Sequence, residues 1–243
     1  SDTEVTNDSQ YGAGMNTLYA MTYGKTPLSN NKIGLAFGAR HSYPTAVKSP
    51  KLNAISESVY AATGLADDEG NILAYPDVIF QDYHVKLIIN PHLKHKISVS
   101  GIYSNTNLSY QSPVALTNDT ESTDFENYGM NAEWKYQINE SWSSSLINTY
   151  SRYAYDNSSV TPVLTFFAVN QLTDYNSRFE ISNSGTKNHA IQLGLDYKWQ
   201  STELNYRNIL QVAESPIEFA SIERAHTFSP YANIEWIGSE TWF

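Results

Sequence analysis

Three groups of residues carry side chains that could do chemistry. Asp67, Asp68 and Glu69 stand before Gly70 and Asn71 and have the look of a calcium loop. A calcium hand places its oxygen ligands at alternate positions with glycine sixth, whereas here three adjacent acids precede the glycine, a pattern that fits a solvated turn. His92 and His95 could share a metal, but no Asp or Cys lies near them in sequence to complete a ligand set, so a water-exposed turn is the better reading. Ser143 to Ser145 offer hydroxyls without a nucleophile elbow or a base at fixed spacing. No catalytic residue, metal or cofactor is assigned.

A fourth group is defined by position. Lys32, Arg40, Asp82, His84, Lys86, Glu133, Lys135, Asp196, Lys198 and Arg207 each stand next to apolar residues in segments where the two kinds alternate. Ile33, Leu35, Phe37 and Ala39 alternate with Lys32, Gly34, Ala36, Gly38 and Arg40. Tyr83, Val85, Leu87 and Ile89 alternate with Asp82, His84 and Lys86, and after Asn90-Pro91 the series resumes with Ile97, Val99, Gly101 and Tyr103. Tyr128, Met130, Ala132, Trp134, Tyr136 and Ile138 oppose Asn131, Glu133, Lys135 and Gln137; Trp142 to Tyr155 is the return strand. His189, Ile191, Leu193, Leu195, Tyr197 and Trp199 oppose Gln192, Asp196, Lys198 and Gln200. The period is two, so these segments are β-strands with one apolar and one polar face. The stretch from Tyr11 to Gly24 reads as one strand with Leu18 as its misfit, and Ser201-Thr202 reads as a turn into Leu204, Tyr206, Leu210 and Val212. Phe228 to Trp236 forms a ninth strand, and a turn at 238–240 starts a tenth with only Thr241, Trp242 and Phe243 remaining.

Composition narrows the setting. No apolar run approaches the roughly 20 residues of a spanning helix, while a barrel strand needs only about 10, half of them apolar. Charged residues make up 16% of the 243, and there are 18 Tyr; typical soluble domains have about 25% charged residues. Tyr and Trp suit a surface that meets lipid headgroups, and Tyr23, Trp134, Tyr136, Trp142, Tyr197, Trp199 and Trp236 are placed at the interfaces. A net charge of -10 opposes a nucleic-acid partner. Cysteine is absent, which leaves the redox compartment open. Ser1 to Gln10 is polar and acidic and is no secretory signal, so a signal peptide would have been removed or lie upstream.

The links between strands also alternate. Short turns fall at 28–31, 90–94, 139–141, 201–202 and 238–240, and long segments at 43–79, 108–125, 156–178 and 214–226, the asymmetry of periplasmic turns and external loops. The fold class is therefore all-β, a transmembrane antiparallel barrel. A soluble sandwich is the competitor, disfavoured because its strands usually run about 5 to 6 residues. The interrupted tenth strand reads as an internal stretch of a longer barrel, with a self-contained barrel of about ten strands as the alternative.

Gly34-Leu-Ala-Phe-Gly-Ala-Arg-His-Ser-Tyr43, Tyr83 to Asn90 leading through Asn-Pro into Lys96 to Tyr103, and Pro230 to Trp236 before a tight turn resemble the barrel half of TonB-dependent outer-membrane receptors. That resemblance implies about ten strands of a 22-stranded barrel, without its plug domain and energy-coupling box. It implies import of a scarce ligand (an iron chelate, cobalamin, glycan or peptide) with outer-membrane lipid, the plug and the TonB energising complex as partners. A passive porin or structural barrel in a larger assembly is the alternative, and a small barrel enzyme the minor one. A charge facing lipid at the midplane costs about 2 to 4 kcal/mol, so the ten polar wall residues must face the lumen. Recognition falls to the external loops, with Tyr43, Tyr60, Tyr75, Tyr153, Tyr155, Phe166 and Phe167 as ligand candidates and a surface lipoprotein as a lid.

Overall fold

Alternation of polar with β-branched and aromatic residues produces ten strands. They are β1 (Gln10–Met15), β2 (Tyr19–Leu28), β3 (Ile33–Ser42), β4 (Asp77–His92), β5 (His95–Gln111), β6 (Thr120–Gln137), β7 (Trp142–Val160), β8 (Leu164–Thr186), β9 (His189–Leu210) and β10 (Ile217–Trp236). The structure, a computed structural model, describes residues 8–16, 18–29, 32–43, 77–111, 120–186, 189–210 and 216–236. All ten strands form a single sheet in chain order, each antiparallel to the next. β1 and β10 do not pair with each other among the described residues.

Three segments differ from the sequence reading, each for a local reason. Residues 11–24 form a hairpin, not one strand, and the misfit Leu18 sits in its turn. Asn16 Oδ1 accepts hydrogen bonds from the backbone N–H of Leu18 (2.8 Å) and Tyr19 (3.0 Å), an Asx turn that reverses the chain. Residues 156–178, expected as a loop, continue β7 and β8 around a tight turn at 161–163. There the Thr161 hydroxyl accepts the N–H of Leu164 at 3.0 Å. Ser201 and Thr202 make no turn; they lie within β9, paired with Thr173 and Leu172 of β8. The other expected loops are also shorter: β4 begins at Asp77, β5 runs to Gln111, β6 starts at Thr120 and β10 at Ile217. Asp67 to Asn71 and the series beyond Trp236 fall outside the described residues.

The sheet has no conventional core. Ile88 and Ala154 are its only buried hydrophobic residues, at 6% and 9% exposure, and no large side chain is fully buried among the described residues. Met130, Leu193, Phe228 and Ile234 are 49 to 68% exposed. A sandwich would bury such side chains beneath a second sheet; here every described strand belongs to the one sheet.

Candidate functional site

Directly paired residues share a face, so the register assigns every side chain to a side. One side carries Leu35, Leu87, Val99 and Ala132 in one row, and Phe37, Val85, Gly101 and Met130 in the next. We call it the Leu87 face. The other, the Lys86 face, carries Ala36, Lys86, Ser100 and Asn131, then Arg40, Asp82, Ser104 and Asn127. The sheet also has two ends. At one, β2 meets β3, β4 meets β5, β6 meets β7 and β8 meets β9 through links of two to four residues, the short-turn end; at the other lie Ser42, Asp77, Gln111, Thr120, Leu210 and Ile217, together with the turns at Asn16–Leu18 and 161–163.

Between the Arg40–Asp82 row and the short-turn end the Lys86 face carries a network of charges. Arg40 donates to Asp82 through Nε at 2.7 Å, and its guanidinium lies 5.3 Å from the Tyr19 ring and 5.1 Å from that of Phe80. Arg178 binds Asp196 through Nε (2.9 Å) and Nη2 (2.7 Å), and Asn176 donates to the second oxygen at 2.9 Å. Lys198 and Gln200 hold Asp174 at 3.2 and 2.8 Å, and Lys135 holds Glu133 at 2.9 Å. Tyr231 donates to Glu180 at 2.7 Å while its ring lies across Gly194, where a Cβ would collide with it.

Over the same height the Leu87 face is apolar and bounded by two aromatic lines. The first starts in one row with Tyr83, Tyr103 and Tyr128, steps one row toward the short-turn end at Tyr150, Tyr175 and Trp199, and steps again at Tyr197 and Phe228. Its rings meet in sequence: Tyr83–Tyr103 at 6.3 Å, Tyr128–Tyr150 at 5.8 Å and Tyr175–Tyr197 at 6.4 Å. Nearer the turns, His95, Trp134 and Tyr136 stack at 4.6 to 6.0 Å, with Trp142 beyond them. From Tyr128 to Tyr136 the strand covers about 26 Å at roughly 3.3 Å per residue. Asn148 interrupts this band, but its Oδ1 accepts the Tyr175 hydroxyl at 3.0 Å.

Above the first aromatic line the two faces exchange character. The Leu87 face gains polar residues, Asn105, Glu126, Asp124, Arg152, Gln171, Glu203 and Arg224, among which Phe167, Val169 and Ile222 remain. The Lys86 face becomes apolar and aromatic: Phe125 meets Tyr155 at 5.1 Å, Phe166 meets Tyr206 at 5.2 Å, and Tyr153, Leu172, Leu204 and Phe219 lie alongside. No register shift separates the two halves of β6, β7 or β9. The inversion occurs within continuous strands.

The structure sorts the ligand candidates accordingly. Tyr153, Tyr155 and Phe166 belong to the aromatic patch, on strands and not in a loop. Phe167 is on the opposite face, paired with Arg207. Tyr43 ties down the first hairpin: its hydroxyl donates to the carbonyl oxygens of Asn16 and, at 3.1 Å, Tyr19. Tyr60 and Tyr75 lie outside the described residues. Of the ten polar wall residues, Arg40, Asp82, His84, Lys86, Glu133, Lys135, Asp196 and Lys198 share one face. Lys32 is in the turn before β3, where its N–H donates to Ser29 O at 3.1 Å. Arg207 is a correction: with no turn at 201–202, it falls on the Leu87 face with Trp199 and pairs with Glu218 at 2.8 Å. Tyr23 is another, because the β2–β3 register, running from Leu28 opposite Ile33, places it on the Lys86 face opposite Gly38. Sequence reading gives no site role to Phe125, Leu172, Leu204, Tyr206 and Phe219, although it sets Leu204 and Tyr206 on a strand. The available signal was the move of apolar residues from odd positions (Tyr197, Trp199) to even ones (Leu204, Tyr206) across Gln200-Ser-Thr-Glu203, which has no turn-forming Gly, Pro or Asn.

His92 and His95 pair across the β4–β5 turn, but His95 is stacked on Tyr136 and Trp134. No group of three metal-binding side chains occurs among the described residues. No described helix is long and apolar enough to cross a membrane, which has no bearing on crossing by strands.

No protein-family model matches the chain, and no curated protein matches it. Among solved structures it is similar to the ferric yersiniabactin uptake receptor FyuA from Yersinia pestis, with a TM-score of 0.56 and 7% identity. The match covers 96% of this chain and 39% of the receptor, so the likeness is one of fold, and the chain spans about two-fifths of the receptor's length.

Proposed function

We propose that this chain forms part of the wall of an outer-membrane import receptor of the TonB-dependent kind, and that the aromatic patch on the upper Lys86 face captures the ligand. The observation that carries the reading is the exchange of apolar character between faces along continuous strands. In the band of about 26 Å the Leu87 face meets hydrocarbon, and its height fits the roughly 25 Å apolar belt of a spanning barrel. The charged Lys86 face then lines the interior. Above the membrane the outside must meet water, and Glu126, Arg152 and Glu203 suit it. Apolar rings facing inward at that height have no lipid to meet, so they serve a guest: a ligand with flat apolar surfaces, in the manner of an aromatic-lined binding cleft.

Support also comes from the sequence resemblance and from the fold shared with an uptake receptor. The edges of β1 and β10, unpaired among the described residues, call for further strands, because hydrocarbon offers an open edge no hydrogen-bond partner. A plug domain and the energising complex are the partners this reading entails.

These 243 residues contain no cysteine, so with any cysteine elsewhere in the protein replaced by serine a direct test is available. In intact cells carrying the full-length protein, Phe166→Cys should react with a membrane-impermeant maleimide and Lys96→Cys should not. Phe166→Ser combined with Tyr206→Ser should then lower import of the receptor's ligand at least tenfold at unchanged surface level. The candidates to screen are ferric chelates, cobalamin, glycans and peptides. Protection of Phe166→Cys, or labelling of both positions alike, defeats the topology; unaltered import by the double variant defeats the capture site.

A further inference from the structure

At the short-turn end of the Lys86 face, β5 to β8 line an open cavity of about 370 Å³ with Lys94, Lys96, Lys135, Ser143, Ser145 and Ser182 among its walls. Lys96 and Lys135 are direct cross-strand partners. Side chains so placed have their Cβ atoms about 5 Å apart, and like charges in that position repel. Lys135 is compensated by Glu133 at 2.9 Å. Lys94 donates to a neutral group, the backbone carbonyl of Ile138, at 3.3 Å. Lys96 has no hydrogen-bond or ion-pair partner among the described residues. The single carboxylate lining the cavity, Glu180, is engaged by the Tyr231 hydroxyl. The hydroxyls complement this cationic lining: Ser143 and Ser182 share one hydrogen bond of 2.8 Å, which leaves one of their two protons free to donate outward.

Three ammonium groups and one carboxylate line the cavity, and beside the Lys135–Glu133 ion pair Lys96 and Lys94 have no carboxylate partner among the described residues, so the lining carries a local surplus of positive charge. We infer that this cavity is an oxyanion site of the phosphate class, with Lys96 and Lys135 as its charged arms, Lys94 as a third cation, and the Ser143–Ser182 pair and Ser145 as hydroxyl donors. The tetrahedral oxyanion takes charge-assisted hydrogen bonds from the ammoniums and a hydroxyl proton from the serine wall. The site lies at the opposite end of the strands from the aromatic patch and does not depend on it.

The test uses the full-length protein in phosphatidylcholine nanodiscs, titrated with inorganic phosphate and followed by ³¹P NMR. Saturable one-to-one binding is expected, weakened at least tenfold by Lys96→Gln and abolished by Lys96→Gln with Lys135→Gln. Lys198→Gln, on the same face but outside the cavity, should bind as the unaltered protein does. Heat-modifiability verifies that each variant is inserted. Phosphatidylglycerol nanodiscs should give the same binding, because a cavity on the interior Lys86 face is out of reach of a bilayer headgroup; block of the added phosphate by that lipid overturns the inference. Absence of saturable binding overturns the inference, including the case in which an acidic segment of the same protein fills the cavity. Binding indifferent to both lysine variants overturns it as well.

Discussion

Leu193 and Asn205 stand on the same face of β9, on either side of the aromatic line at Tyr197 and Trp199. Arginine at each position separates the two environments without changing strand, face or residue introduced. Leu193 is 49% exposed, so its replacement leaves little cavity, and the cost is that of holding a cation against hydrocarbon. Near the midplane that cost is about 2 to 4 kcal/mol, falling to about 0 to 1 kcal/mol beyond the interface. Asn205 is twelve residues further along, about 40 Å of extended chain, well outside the apolar belt. Leu193→Arg should therefore reduce the folded-to-unfolded ratio roughly 30- to 700-fold, and Asn205→Arg by roughly fivefold at most. Urea titration of the full-length protein in lipid vesicles, with the folded fraction read from gel mobility before and after heating, measures both. Equal shifts in the two midpoints, or a larger one at Asn205, would refute the assignment of the membrane band and with it the inversion.

Three smaller tests address local geometry. Gly194→Val should displace the Tyr231 ring and break its bond to Glu180, costing about 1 to 3 kcal/mol as overpacking does; Tyr231→Ala in the same protein should restore most of that loss. Asn16→Ala removes the acceptor for two backbone N–H groups, and amide exchange at Leu18 and Tyr19 should accelerate while β5 to β9 keep their protection. Arg207 and Glu218 are a solvent-exposed pair, so Glu218→Gln should move the urea midpoint by less than about 1 kcal/mol; a larger effect would mean the pair is screened from water.

Strand character and the antiparallel order were legible wherever one face met a uniform environment, as in Tyr83 to Ile89 and Ile97 to Tyr103. Their alternation is strict because one side is apolar throughout. The reading broke down where the environment changed along a strand. Between residues 156 and 178 neither face is consistently apolar, so a period of two carries no contrast and the segment reads as a loop. At Ser201 the apolar set changes sides, and a sequence reader who assumes a constant lipid face must insert a turn to explain Leu204 and Tyr206. The misassignment of Arg207 follows from that inserted turn. Leu18 is the converse case: one misfit in a regular series marked a true reversal. Two small clues, Asn at 16 and a broken alternation at 18, were available and outweighed by the apparent length of the strand. The lysine cavity was hidden because its members come from separate strands, and only the register sets Lys96 against Lys135.

The stepwise descent of the aromatic line has a geometric consequence. From Tyr83 on β4 to Phe228 on β10 it drops two rows, four residues across six strand spacings, so in the proposed wall, with that line level, the strands lean about 25° from the vertical. The wall is thus wound like a shallow screw thread. A plumb line dropped from the Phe166–Tyr206 contact leaves β8 and β9 and drifts toward lower-numbered strands as it falls. It approaches the opposite rim on the side of the sheet where Lys96 and Lys135 stand. Two sites that belong to different hairpins in the chain are brought toward one vertical course by the lean of the strands alone.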